Sequence, residues 1–153
     1  MANEAVIIEL LGNRGEPISF TVANATGVEK GTLMTLQEPK TAVASSTQVN
    51  PTFAGIAAAE KVASDGATKL SLYTYGIFDL TLVANAGTVH AGDLLVLSGA
   101  NTVTNAGTIP SGTDAYGNTV QGAQRALLSG MIVGKALEDG SSSEVINVLV
   151  GVY

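Results

Sequence analysis

A stretch of fifteen residues occurs twice in this chain without a gap, and this duplication constrains the fold more than any other feature. Residues 22–36 match residues 83–97 at eight of fifteen positions, and the shared pattern is V-A-N-A followed by V-x-x-G-x-L-x-x-L. The shared glycines Gly31 and Gly92 predict equivalent turns. A repeat of this kind that is present only twice indicates one domain with an internal pseudo-two-fold repeat and not a solenoid.

Each copy is followed by a similar set of β signals. The small apolar segments 55–59 and 134–137 both begin with glycine, and both lead through an Asp-Gly turn into another apolar run. The pattern predicts a mainly β fold, with a single β domain over residues 13–153. We expect repeat halves at about 18–80 and 81–153, with an insertion loop at 98–124 in the second half.

Alternation and repeat position together predict the hydrophobic core. In segment 18–22, for example, Ile18, Phe20 and Val22 alternate with polar residues. The predicted core consists of Phe20, Leu33, Leu36, Phe78, Leu80, Leu94, Leu97, Val148 and Val150.

Composition argues against several classes of function. The 153 residues carry a net charge of −6 with seven Lys and Arg in total, whereas nucleic-acid binding draws on a basic patch. There is no cysteine for a disulfide, a thiolate nucleophile or the usual structural zinc site. The start lacks the basic region of a secretory signal, and no run approaches the length of a membrane helix. We expect no cofactor, no metal, no nucleic acid and no membrane as partners.

Enzyme chemistry also has little support in the sequence. His90 is the only histidine, and Glu29 stands at its position in the first copy. Glu60 and Glu138, which the repeat places at similar strand ends, are the best candidates for a carboxylate pair of the glycosidase type. A charge that keeps a hairpin tip hydrated explains them more simply, so we expect that the protein is not an enzyme.

Several segments resemble the capsid decoration, or head cement, proteins of tailed bacteriophages. They are the start 1–4, the segment 89–95, the segment 134–139 and the closing strand 145–150. The resemblance implies a small β-barrel or β-tulip-like domain that forms a homotrimer. It also implies that the protein binds the major capsid protein on the exterior of the virion after synthesis in the host cytoplasm. A carbohydrate- or cell-surface-binding module is the alternative, but it needs an aromatic platform, and the chain has three Phe, four Tyr and no Trp.

The N-terminal segment is the expected capsid contact. Residues 1–12 are either an arm that the assembled shell orders or the first strand of the barrel, because an uncovered apolar strand would invite aggregation. The predicted contact residues are Ala2, Asn3, Glu4, Val6, Ile8 and Arg14.

Overall fold

A computed structural model describes residues 3–9, 16–46, 51–108, 111–113, 116–117, 119–121 and 130–151. These residues form mainly β-structure, as predicted, with one short 3-10 helix at Ala106–Thr108. In chain order the strands are β1 (Val6–Glu9), β2 (Ile18–Thr21), β3 (Leu33–Gln37), β4 (Thr41–Ala44), β5 (Phe53–Ala57), β6 (Lys69–Tyr73), β7 (Gly76–Leu82), β8 (Leu94–Leu97), β9 (Thr102–Asn105), β10 (Gly112–Thr113), β11 (Thr119–Val120), β12 (Ile132–Ala136) and β13 (Val145–Val150).

The first half of the chain closes into a five-stranded barrel, barrel one, in the order β2-β4-β3-β5-β6. The parallel pairing of Thr21 with Thr41 completes the closure, and the other pairs are antiparallel. Alternate residues of each strand point inward, as the pleat requires. The interior is filled by Phe20, Val22, Val28, Met34, Ala42, Ala54, Ala57, Leu70 and Leu72.

The second half repeats this arrangement as barrel two, with β7, β9, β8, β12 and β13 in the places of β2, β4, β3, β5 and β6. Its closing pair is again parallel and joins Thr81 to Thr102. The expected small β-barrel with two repeated halves is therefore confirmed. The pairing groups residues 18–73 and 76–150, whereas the sequence had suggested a division near residue 80. Strand β1 pairs with β7 at the edge of barrel two, and β10 and β11 form a separate hairpin.

Residues 98–124 are only partly an insertion. Thr102–Asn105, placed in that loop by the sequence analysis, forms β9 and is a full member of barrel two. The segment was missed because Val103 is its only apolar residue. Its β-structure comes from pairing with two neighbouring strands, which the local pattern does not reveal.

The predicted core is correct at seven of its nine positions. Leu36 is the first exception, since it is 40% exposed, whereas its repeat partner Leu97 is 6% exposed. Leu94 is the second: it is half-buried, and the adjacent Leu95 fills the barrel instead. The repeat placed these leucines at corresponding points of the chain, but the two barrels have different surroundings.

Candidate functional site

The N-terminal segment lies along both barrels. Strand β1 pairs antiparallel with β7, so that Val6 lies opposite Asp79. Just before it, the backbone N–H of Ala5 donates a 2.7 Å hydrogen bond to the carbonyl of Gly31 in barrel one. Ala5 is 8% exposed, and it packs in the cluster that fills barrel two. Residues 3–9 are therefore part of the folded domain, with β1 as an edge strand.

The structure brings three of the expected capsid contacts together on this segment. Asn3 and Val6 are exposed, Val6 by 55%, and Glu4 is half-buried between them. The other expected contacts lie outside the described residues: Ala2, Arg14 and the side chain of Ile8.

A groove of about 360 Å³ runs between β1 and barrel one. Its lining combines apolar side chains with nearly as much polar surface, and Lys30 contributes a cation. An edge strand presents backbone N–H and C=O groups on which an extended segment of another protein can add a strand. The lining residues are Ala5, Val6, Ile7, Lys30, Gly31, Ile56 and Ala57.

The turns at Gly31 and Gly92 have the same backbone geometry. Their φ angles are +87° and +98°, and their N–H groups donate 2.8 Å hydrogen bonds to Ala57 and Ala136, which occupy equivalent positions of β5 and β12. Their surroundings differ. A Cβ at Gly31 would lie 2.7 Å from the carbonyl oxygen of Ala5, whereas a Cβ at Gly92 would have no atom within 4 Å. Only the first of these turns is thus covered by the N-terminal segment.

A second surface with exposed apolar side chains lies at one end of barrel one and is here called the open end. It consists of the exposed Ile18 and Leu36, the buried ring of Phe20 beneath them, and the charged Glu38 and Lys40. Ile18 is 45% and Leu36 40% exposed. The Lys40 ammonium lies 5.6 Å from the centroid of the Phe20 ring. These side chains, apart from Ile18, line a groove of about 440 Å³. An apolar surface of this kind is typical of protein contacts.

The carboxylate pair considered from the sequence does not occupy equivalent positions. The bridges Val28–Lys61 and Val89–Gly140 correspond, which makes Asp139, and not Glu138, the counterpart of Glu60. A carboxylate oxygen of Glu138 instead accepts a 2.7 Å hydrogen bond from the backbone N–H of Asn147. Within the described ranges, no three His, Asp or Glu side chains group as metal ligands.

His90 lies on the surface beside Asp139, with 3.6 Å between Nδ1 and Oδ2. Asp139 also accepts a 2.8 Å hydrogen bond from the N–H of Ala91. This bond is the main reason that the pKa of Asp139 lies below its ordinary value; His90 lowers it further and desolvation opposes the shift. The pair therefore fastens the second repeat loop to the turn after β12.

Lys61 is an important residue that the sequence analysis did not single out. Its side chain is 2% exposed, and its ammonium donates to the carbonyls of Asn24 at 2.8 Å, Thr26 at 3.0 Å and Val62 at 3.2 Å. Asp65 lies 3.4 Å from the same ammonium. Lys61 thus holds the first repeat loop in place. Glycine stands at the equivalent position, 140, so the repeat gave no signal for it.

The exposed aromatic surface is small. The three phenylalanines are buried, Tyr73 and Tyr75 are half-buried, and Tyr116 is 91% exposed. Among the described residues, Tyr116 is therefore the one largely exposed ring.

Comparison with protein-family models and with curated protein sequences finds no match. The described part of the chain also contains no helix that is long and apolar enough to cross a membrane.

Proposed function

We propose that this protein is a structural virion protein that binds the outside of the icosahedral head of a tailed bacteriophage and stabilises the lattice of the major capsid protein. The proposal begins from the resemblance of four segments to capsid decoration proteins. The observation that carries it is the edge strand β1, whose exposed Val6 borders the groove between β1 and barrel one.

Strand addition is a suitable way of attaching to a shell. A segment of the capsid protein that pairs with β1 gains backbone hydrogen bonds, while the groove receives its side chains. A homotrimer presents three such edges, and simultaneous engagement multiplies the strength of a weak single contact. The protein is made in the host cytoplasm and resides on the capsid exterior.

Co-sedimentation with expanded heads that lack the protein tests this proposal. We expect binding to heads built from the major capsid protein of the same phage. Val6→Lys should abolish this binding, because it replaces an apolar side chain of the contact with a charge, although lysine is well tolerated on a free edge strand. Val62→Lys is the matched control, since Val62 is 62% exposed in a loop of barrel one. Undiminished binding by Val6→Lys, or none by the wild type, would overturn the proposal.

The alternative is a carbohydrate- or cell-surface-binding module that uses Tyr116. Tyr116→Ala separates the two functions, because the capsid function predicts unchanged binding to heads. A loss of binding to host cells or glycans would instead favour the module.

A further inference from the structure

The contact between the two barrels is one-sided. The turn between β8 and β9 of barrel two reaches barrel one, where Asn101 accepts a hydrogen bond from the N–H of Leu33 and donates one to Ser45 Oγ, both at 2.9 Å. The equivalent turn of barrel one carries Lys40, which has nearly the same φ, +48° against +55°. Lys40 is exposed and lies over Phe20 of its own barrel.

The apolar residues around these two turns also differ in burial between the barrels. At the end of barrel two that faces barrel one, Phe78 is fully buried and Leu97 is 6% exposed. The strand pairings make Ile18 and Leu36 their counterparts at the open end of barrel one, where they are 45% and 40% exposed. The open end is therefore a copy of a docking surface that the described residues of the single chain leave uncovered.

The surface that receives barrel two also has a copy. On barrel one, the outward side chains Leu33 and Ile56 pack in the cluster of barrel two, and Tyr73 lies 6.1 Å from Phe78 between ring centroids. These three residues are neighbours across β3, β5 and β6. The equivalent neighbours on barrel two, here called the outer row, are Leu94, Lys135 and Leu149, and all three are half-buried.

We propose that the open end of barrel one docks onto the outer row of barrel two in a second copy of this chain, so that the copies of the two apolar surfaces that meet within the chain also meet between chains. The hydrogen bond of Asn101 is not repeated, because Lys40 stands in its place and its ammonium cannot accept a hydrogen bond. The repeat supports this choice of occupant, because the outer row is the copy of the surface that receives barrel two. Lys135 replaces Ile56 on the receiving surface, and the turn of the open end carries Glu38 beside Lys40, whereas its counterpart Ser98–Asn101 carries no charge. The pairing that we expect across the contact is Glu38 with Lys135.

Such a contact joins two different surfaces, so it is head-to-tail. Contacts of this kind close into rings or continue as filaments. Three copies close into a ring of six barrels, which would be the homotrimer of the proposed function. Only this number of copies rests on the proposed function; the docking contact does not.

Light scattering coupled to gel filtration tests the contact without any capsid. We expect the wild type at three times the chain mass of 15.4 kDa. Leu36→Lys and Lys135→Glu should each give monomers, because both alter half-buried or exposed positions of the contact. The control Val62→Lys should remain a trimer, and circular dichroism and melting should show that all variants fold.

Mixing the two monomeric variants is the more demanding measurement. The Lys135→Glu chain retains an intact open end and the Leu36→Lys chain an intact outer row, so together they should form a one-to-one complex. The double variant Glu38→Lys/Lys135→Glu should recover the trimer, since the two charges are exchanged. A monomeric wild type, or variants that remain trimeric, would overturn the inference. Filaments that Leu36→Lys abolishes would support the contact.

The measurement of the oligomeric state is independent of the capsid-binding assay. If the contact is correct and the capsid function is not, Leu36→Lys dissociates the trimer while the wild type fails to bind heads. If the reverse holds, the wild type binds heads and Leu36→Lys leaves the oligomeric state unchanged.

Discussion

Asn101 and Leu33 are joined by a buried hydrogen bond across 68 positions of sequence, from the backbone N–H of Leu33 to Oδ1 of Asn101 at 2.9 Å. Leu33 opens β3 of barrel one, and Asn101 lies in the β8–β9 turn of barrel two. The bond supplies a partner for a buried backbone donor, which is costly to leave unsatisfied. It therefore joins the two barrels at this point.

Asn101→Ala should destabilise the protein by about 2 kcal/mol or more, since the Leu33 N–H loses its acceptor and alanine is unfavourable at a φ of +55°. Lys40→Ala is the matched control, because it shares the backbone conformation and lacks the buried bond. Urea denaturation of both variants measures the difference. Equal losses would show that backbone conformation alone accounts for the effect.

Gly31→Ala should cost more stability than Gly92→Ala. Both variants carry the penalty of a positive φ, about 1–2 kcal/mol, but only the first forces a methyl group against the Ala5 carbonyl at 2.7 Å. The additional loss of stability in Gly31→Ala measures the packing of the N-terminal segment and should appear in thermal melts. Deleting residues 2–8 should remove that excess; if it persists, the clash is not its cause.

Lys61→Met should destabilise barrel one by about 2 kcal/mol or more, because the carbonyls of Asn24 and Thr26 lose a charged donor in a buried site. Lys69→Met, at an exposed position of β6, is the control and should have little effect. Hydrogen exchange at residues 22–28 provides a local measurement. Unchanged protection there would contradict the role given to Lys61.

Leu95→Ala should cost about 2–5 kcal/mol, since its side chain is fully buried inside barrel two. Leu94→Ala should cost less, because Leu94 is half-buried on the outside of the same strand. Chemical denaturation of the monomeric Lys135→Glu background separates folding from association. A larger loss for Leu94 would mean that the strand faces the other way.

Stability should fall in acid as Asp65 and Asp139 take up protons. The N–H groups of Ala67 and Ala91 are the main causes that hold their folded-state pKa values below the ordinary 3.8. A lowered folded pKa stabilises the protein above the unfolded pKa, and this contribution is lost as pH falls through the folded value. Melting temperature should therefore decline below about pH 4, less steeply in Asp65→Asn/Asp139→Asn. An unchanged slope in that variant would assign the decline to other carboxylates.

The sequence by itself determined that the chain is mainly β and built from two related halves. Fifteen aligned positions and short runs of alternating residues are local signals, so they can be interpreted without knowing which strands pair. The interior positions Phe20, Leu80 and Val148 followed from alternation for the same reason. The N-terminal candidates Asn3, Glu4 and Val6 also proved to be neighbours, since they are adjacent in the chain.

The tertiary structure alone decided how the halves differ. The sequence match aligns Val22 with Val83, whereas strand pairing makes Thr21 equivalent to Thr81. The two alignments differ by one position, so the second copy contains one additional residue between β7 and Val89. Leu36 and Leu97 match in sequence and differ in burial because the end of barrel two that contains Leu97 packs against barrel one, whereas the described residues leave the corresponding end of barrel one, with Leu36, exposed. Such differences arise from contacts between residues that are distant in the chain. A repeated sequence pattern therefore does not indicate which copy of a surface is buried by another part of the chain.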